Sequence, residues 1–123
     1  MGKILVADDE PDMRALLADL LEEAGHQVDQ AENGQLAVEQ AQNNPPDLVL
    51  LDVLMPMMDG IQALKRLRDN PATQNVPVIL LTAFSLSEDE NAVLDTPFTY
   101  HVTKPWRRGI VETAVISALA QTV

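Results

Sequence analysis

Leu48-Val49-Leu50-Leu51-Asp52 is an unbroken apolar run closed by a carboxylate, set between Pro45-Pro46 and Met55-Pro56. A run this short and this apolar predicts a strand buried on both faces, as in a parallel sheet covered by helices. Its last residue is then the informative one. A carboxylate inside such a strand costs several kcal/mol of desolvation, roughly 2–7 for even an unpaired polar group. At the carboxyl end it opens instead into the crevice where open α/β sheets bind their ligands. Taken alone, Asp52 serves equally well as the cap of the following turn.

Two more runs repeat the pattern. Ile4-Leu5-Val6-Ala7 ends in Asp8-Asp9-Glu10, and Pro77-Val78-Ile79-Leu80-Leu81 ends in Thr82. Two weaker, alternating stretches, Gln27 to Ala31 and Thr99 to Thr103, read as sheet edges. Helical periodicity separates them. Pro11 suits a first helical turn, Met13, Leu16, Leu17, Leu20, Leu21 and Ala24 follow at helical spacing, and Gly25 is placed to end the helix. Asn33-Gly34 opens a second helix to about Asn44, with Ala37, Val38 and Ala41 inward. Asp59-Gly60-Ile61-Gln62 resembles a capping box, and Ile61, Leu64 and Leu67 carry the apolar stripe as far as Asn70-Pro71. Ser87-Glu88-Asp89-Glu90 starts a fourth helix that stops near Thr96-Pro97, and Val111, Ala114, Val115, Ala118 and Leu119 mark a fifth. Five strands alternating with five helices, joined by right-handed crossovers, give a doubly wound α/β parallel sheet of order 2-1-3-4-5.

At 123 residues the chain is expected to be one domain, 1–123, with one core. No run approaches the roughly 20 apolar residues of a membrane span, no secretory leader is evident, and there is no Cys, so a cytoplasmic protein is expected. With 19 acids against 8 bases the net charge is −11. Direct binding to nucleic acid or to anionic membrane is therefore not expected.

In the 2-1-3-4-5 order the first and third strands are neighbours, so Asp8, Asp9 and Asp52 converge. Thr82 ends the next strand over, and Lys104 follows the last. Carboxylates about 4 Å apart repel by roughly 4 kcal/mol per pair at an effective dielectric near 20. Positive charge is required. Lys104 supplies one unit, and with oxygen donors only and no His nearby, Mg²⁺ suits the remainder. A metal held by few carboxylates, with a lysine and a hydroxyl beside it, is equipment for phosphoryl transfer, and Asp52 is the best-placed nucleophile. Each group has a plainer use as a helix-start acid, a strand-end hydroxyl or a solvated lysine; only their common edge lifts the set.

Ala7-Asp8-Asp9-Glu10-Pro11, Leu50-Leu51-Asp52-Val53-Leu54-Met55-Pro56-Met57-Met58-Asp59-Gly60, Leu81-Thr82-Ala83 and Lys104-Pro105 together resemble the receiver domain of two-component response regulators, of the chemotaxis and sporulation type. The strand order above is that of the chemotaxis member, a flavodoxin-like fold. The resemblance implies Asp52 as phosphoacceptor, Asp9 as a direct ligand of Mg²⁺, Asp8 as a ligand through water, and the Leu54 carbonyl as a further ligand. It makes Thr82 the switch hydroxyl and Lys104 the phosphate-pairing lysine. The implied donor is a sensor histidine kinase or phosphotransfer protein, the recipient of the signal an output protein or domain, with a phosphorylation-dependent dimer left open. Such a domain is not a turnover enzyme; it catalyses only its own phosphorylation and dephosphorylation.

Three other readings compete. A phosphohydrolase of the haloacid-dehalogenase kind would need an acid two residues after the nucleophile, where this chain has Leu54. A nucleotide-binding module would need a glycine-rich phosphate loop, which is absent. A pseudo-receiver that works without phosphorylation would not need Asp8, Asp9, Asp52, Thr82 and Lys104 intact. The chain departs from the family pattern where His101 replaces the usual aromatic switch residue and Pro97-Phe98 replaces a small Gly-Ala pair.

Overall fold

The computed structural model describes residues 2–55, 58–82, 97–103 and 109–120. Its elements run β1 (Lys3–Ala7), α1 (Pro11–Glu23), β2 (Gln27–Ala31), α2 (Gly34–Asn43), β3 (Leu48–Asp52), α3 (Gly60–Arg68), β4 (Val78–Thr82), β5 (Thr99–Thr103) and α4 (Ile110–Ala120). All four strand pairings are parallel, and the order is β2-β1-β3-β4-β5. The doubly wound sheet and its order are as expected. Among the described residues the helices number four rather than five, because the helix expected from Ser87 lies outside them.

The continuous apolar runs are the central strands because both their faces are covered. All five residues of β3 and of β4 are buried, whereas β2 at the edge buries only Ala31. Alternate residues feed two separate cores. Leu5, Val49, Leu51, Val78 and Leu80 pack with Ala37, Val38 and Ala41 of α2 and with Ile61, Leu64 and Leu67 of α3. Ile4, Val6, Leu48, Leu50, Ile79 and Leu81 pack on the other face with Leu17 and Leu21 of α1 and Val111, Val115 and Ala118 of α4. Each such Leu or Ile contributes on the order of 1.5–3 kcal/mol by leaving water.

Local signals act where the sequence puts them. Pro11 occupies the first turn of α1, and Gly25, at φ 97°, ends the segment in the left-handed region that favours glycine. Asn33 accepts a hydrogen bond from the Leu36 amide at 2.8 Å, and Asp59 and Gln62 form the full reciprocal capping box of α3. Two members of the expected α1 stripe fail. Ala24 is the exposed C-cap, and Leu16 is 47% exposed while Ala18 is buried instead, because α1 presents only one stripe to the sheet while its sequence holds more apolar residues than that stripe can take.

The Pro97-Phe98 substitution has a visible backbone consequence. Phe98 sits at φ 61°, an unusual conformation for a bulky residue, and its carbonyl accepts from both the Val78 amide at 2.9 Å and Arg68 Nη2 at 3.0 Å. Arg68 also donates to the carbonyls of Val76 and Thr73 and to Thr99 Oγ1. The end of α3 is thereby tied to the starts of β4 and β5.

Candidate functional site

The carboxyl ends of β1, β3 and β4 bring the predicted residues together. The β1–β3 register pairs Ala7 with Leu51, so Asp8 emerges beside Asp52. One oxygen from each of Asp8, Asp9 and Asp52 falls within 4.8 Å of the others. Asp8 is fully buried, Asp52 is 4% exposed, and Asp9 is open to solvent. The two buried carboxylates are aimed by the main chain. Asp8 Oδ1 accepts from the Glu10 amide at 2.9 Å, and Asp52 Oδ1 accepts from the Leu54 amide at 3.3 Å. Arg14 Nη1 donates to the Asp8 carbonyl at 2.8 Å, and its Nε donates to Gln30 Oε1, bracing the acidic turn from α1.

Thr82 is buried at the end of β4, one residue beyond Leu81, the register partner of Asp52. Thr103, which precedes Lys104 in the chain, pairs with Thr82 across β4 and β5. Lys104 itself lies outside the described residues. Leu54 follows Asp52 into the loop with its side chain 69% exposed. His101 is exposed on β5 beside the half-buried Tyr100, and Met55 is buried in the α2–α3 core, so these residues take no part in the acidic cluster. His26 is not a simple surface residue: its Nδ1 accepts from the Gly2 amide at 3.0 Å.

Three oxygens this close, with two of the acids buried, form a pocket that can hold a metal. Oxygen donors spaced no more than 4.8 Å apart are near the separation of opposed ligands about a small hard cation, roughly 4.2 Å for ligand distances of about 2.1 Å. Without a cation, mutual repulsion of about 3–4 kcal/mol per pair at an effective dielectric near 20, less for pairs that include exposed Asp9, opposes the arrangement.

The response regulator receiver domain family matches residues 4–116. The chain belongs to that family. The receiver domain is 38% identical over 104 residues to the phosphate regulon transcriptional regulatory protein PhoB of Escherichia coli, a match that takes in 85% of this chain and 45% of that protein. It is similar to the solved signal receiver domain of a signal transduction histidine kinase from Syntrophus aciditrophicus, with TM-score 0.88, 34% identity, and coverage of 98% of this chain and 92% of that one. A second solved structure is the receiver domain of sensor histidine kinase PA1611 from Pseudomonas aeruginosa, with a magnesium ion coordinated in its active site cleft. It shares 25% identity at TM-score 0.85, covering 97% and 98% of the two chains.

Two features of the receiver domain were not legible in its sequence. Arg14 and Arg68 use backbone carbonyls as acceptors, and every residue carries one, so no pattern marks the partner. The first residues of α2 and α3, Gly34 and Gly60, read as parts of helix starts, and neither has a positive φ. Their structural use is close contact.

Proposed function

We propose that this receiver domain accepts a phosphoryl group on Asp52, in a Mg²⁺-dependent reaction, from the phosphohistidine of a sensor histidine kinase or phosphotransfer protein in the cytoplasm. The observation that supports this reading best is the convergence of Asp8, Asp9 and Asp52 within 4.8 Å beside buried Thr82. Asp8, Asp9, Asp52 and the Leu54 carbonyl would hold Mg²⁺, which when bound neutralises charge on the phosphoryl oxygens. The chain's own groups do the remainder. An Asp52 carboxylate oxygen attacks phosphorus as the P–N bond of the donor breaks, and the released imidazole nitrogen keeps that electron pair and takes up a proton. The Leu54 amide holds the Asp52 carboxylate at Oδ1, which restricts its rotation before attack. Thr82 would donate to one phosphoryl oxygen and Lys104 would pair with another. The resulting change would be read by an output protein or domain.

The position two after Asp52 bears on the rival phosphohydrolase. Leu54 has no proton to give, so turnover of small phosphoesters is disfavoured and the domain acts only on itself. Intact mass after treatment with acetyl phosphate or phosphoramidate tests the proposal. A single phosphoryl adduct is expected with Mg²⁺, and none in EDTA or in Asp52→Ala. An adduct of undiminished yield in either control overturns it.

A further inference from the structure

Val53 and Met58, on either side of the β3–α3 connection that also holds Leu54, whose amide bonds Asp52, each lie against a helix start that lacks a side chain. A β-carbon on Gly60 would stand 2.5 Å from the Asp52 carbonyl oxygen and 2.9 Å from Val53 Cα. On Gly34 it would collide with the Met58 carbonyl oxygen and lie 3.1 Å from the Met58 carbonyl carbon and 3.2 Å from its Cβ. The contacts with the Asp52 carbonyl oxygen, Val53 Cα and the Met58 carbonyl oxygen are closer than real β-carbons come, and those at 3.1 and 3.2 Å are tighter than most. Both glycines are buried, and since neither has a positive φ, space and not backbone conformation is what each provides.

We propose that Gly34, which belongs to α2 and is no part of the acidic cluster, is a positioning residue for the Asp52 site. This inference rests on the reading of Asp52 given above. The reasoning follows what can yield if a methyl group is added. α2 is fixed at that end by the Asn33 cap, which accepts from the Leu36 amide at 2.8 Å, and by its buried Ala37, Val38 and Ala41. Met58 is followed at once by the Asp59–Gln62 capping box, bonded in both directions at 2.8 and 3.1 Å. Gly60 is in turn bonded through its amide to the Val53 carbonyl at 2.9 Å, and the Val53 amide to Leu81 at 3.0 Å. Met58 is two residues from Gly60, so displacement of its main chain is passed through the Gly60 amide to Val53 and the adjoining Leu54. Leu54 supplies the amide to Asp52 Oδ1. A methyl group on α2 therefore alters the aim of the nucleophile without touching an acidic residue.

The test is Mg²⁺ affinity by isothermal titration calorimetry and the initial rate of phosphorylation by acetyl phosphate, for wild type, Gly34→Ala and Gly25→Ala. Gly25→Ala strains a left-handed position at the far end of α1 and serves as a control for lost stability alone. Gly34→Ala is expected to weaken Mg²⁺ binding at least threefold and slow phosphorylation at saturating Mg²⁺, while Gly25→Ala lowers the melting temperature and leaves both unchanged. Wild-type values in folded Gly34→Ala overturn the inference, as does an equal loss in Gly25→Ala. If Gly34→Ala does not fold, amide chemical shifts of wild type decide: Gly34 and Gln35 should move on Mg²⁺ addition with the same midpoint as Leu54, and their standing still while Leu54 moves overturns the inference. A wild type that binds no Mg²⁺ refutes instead the reading of the site on which the inference rests.

Discussion

The two ends of the sheet use charge in opposite ways. At the amino end, charged and polar side chains are matched one by one to main-chain groups. Asp47 Oδ2 accepts from the Lys3 amide at 2.8 Å, His26 Nδ1 accepts from Gly2, and Arg68 donates to three carbonyls. At the carboxyl end, three acids converge on one another. The first arrangement lowers the energy of the fold by closing its loops. The second adds like-charge repulsion that a bound cation would relieve. Like charges gathered at one end, and charges matched to main chain at the other, set the candidate site apart from the opposite edge without reference to any relative.

That contrast makes opposite demands on mutation. The largest effect is expected at the amino end. Arg68→Met strips the carbonyls of Val76 and Phe98 of a donor and should lower unfolding free energy by about 2–3 kcal/mol, read from the urea midpoint. Mg²⁺ affinity of the folded variant should not change. Burial alone holds the Arg68 pKa below its ordinary value, so the guanidinium gives back in desolvation part of what its bonds provide. A variant as stable as wild type would show that the two terms cancel, and the amino end would then not be the stabilising one.

At the carboxyl end the sign reverses. Asp8→Asn keeps an oxygen for the Glu10 amide and removes one buried negative charge, so in EDTA the variant should be more stable than wild type, by about 1–2 kcal/mol after allowance for screening. It should also lose most of the stabilisation that wild type gains from millimolar Mg²⁺. Denaturant curves with and without the metal check both. Equal stability in EDTA would mean that repulsion does not distinguish this edge.

The smallest effect sharpens the comparison through pH. Burial lowers the pKa of His26 below its ordinary value of 6.5, and the bond that Nδ1 accepts from the Gly2 amide needs the same neutral ring. The neutral ring is therefore the native form. Its contribution to stability is complete above the unfolded value of about 6.5 and is lost as pH falls through the depressed folded value. His26→Gln should flatten that part of the stability profile, and an unchanged slope would exclude His26 as its source. Because most of the side chain's surroundings remain accessible to solvent, the change should be smaller than either effect above.

How much was legible in the sequence follows the same division. β3 and β4 could be placed because burial on both faces demands continuous apolar runs, and the acidic cluster followed once the strand order was known. Asn33 and Asp59 were recognisable caps because their side chains answer a need that recurs at every helix start. Leu16 misled because apolar content alone does not say which stripe meets the sheet. Arg68, Arg14 and His26 were opaque because their partners are main-chain groups brought near by folding. Gly34 was read correctly as opening α2, but the clearance it gives Met58 depends on a contact that only folding creates.

The two cores described earlier have a consequence for how such a chain can change over generations. Side chains above and below the sheet do not meet, so costs of substitutions in Leu64 and in Leu21 should simply add. Each helical layer is then free to drift on its own terms, acquiring new neighbours on one side while the other keeps its old ones. The strands have no such liberty. Leu50 and Leu51 answer to opposite layers at once, and the segment that delivers Asp52 is the part of the chain with the fewest acceptable alternatives.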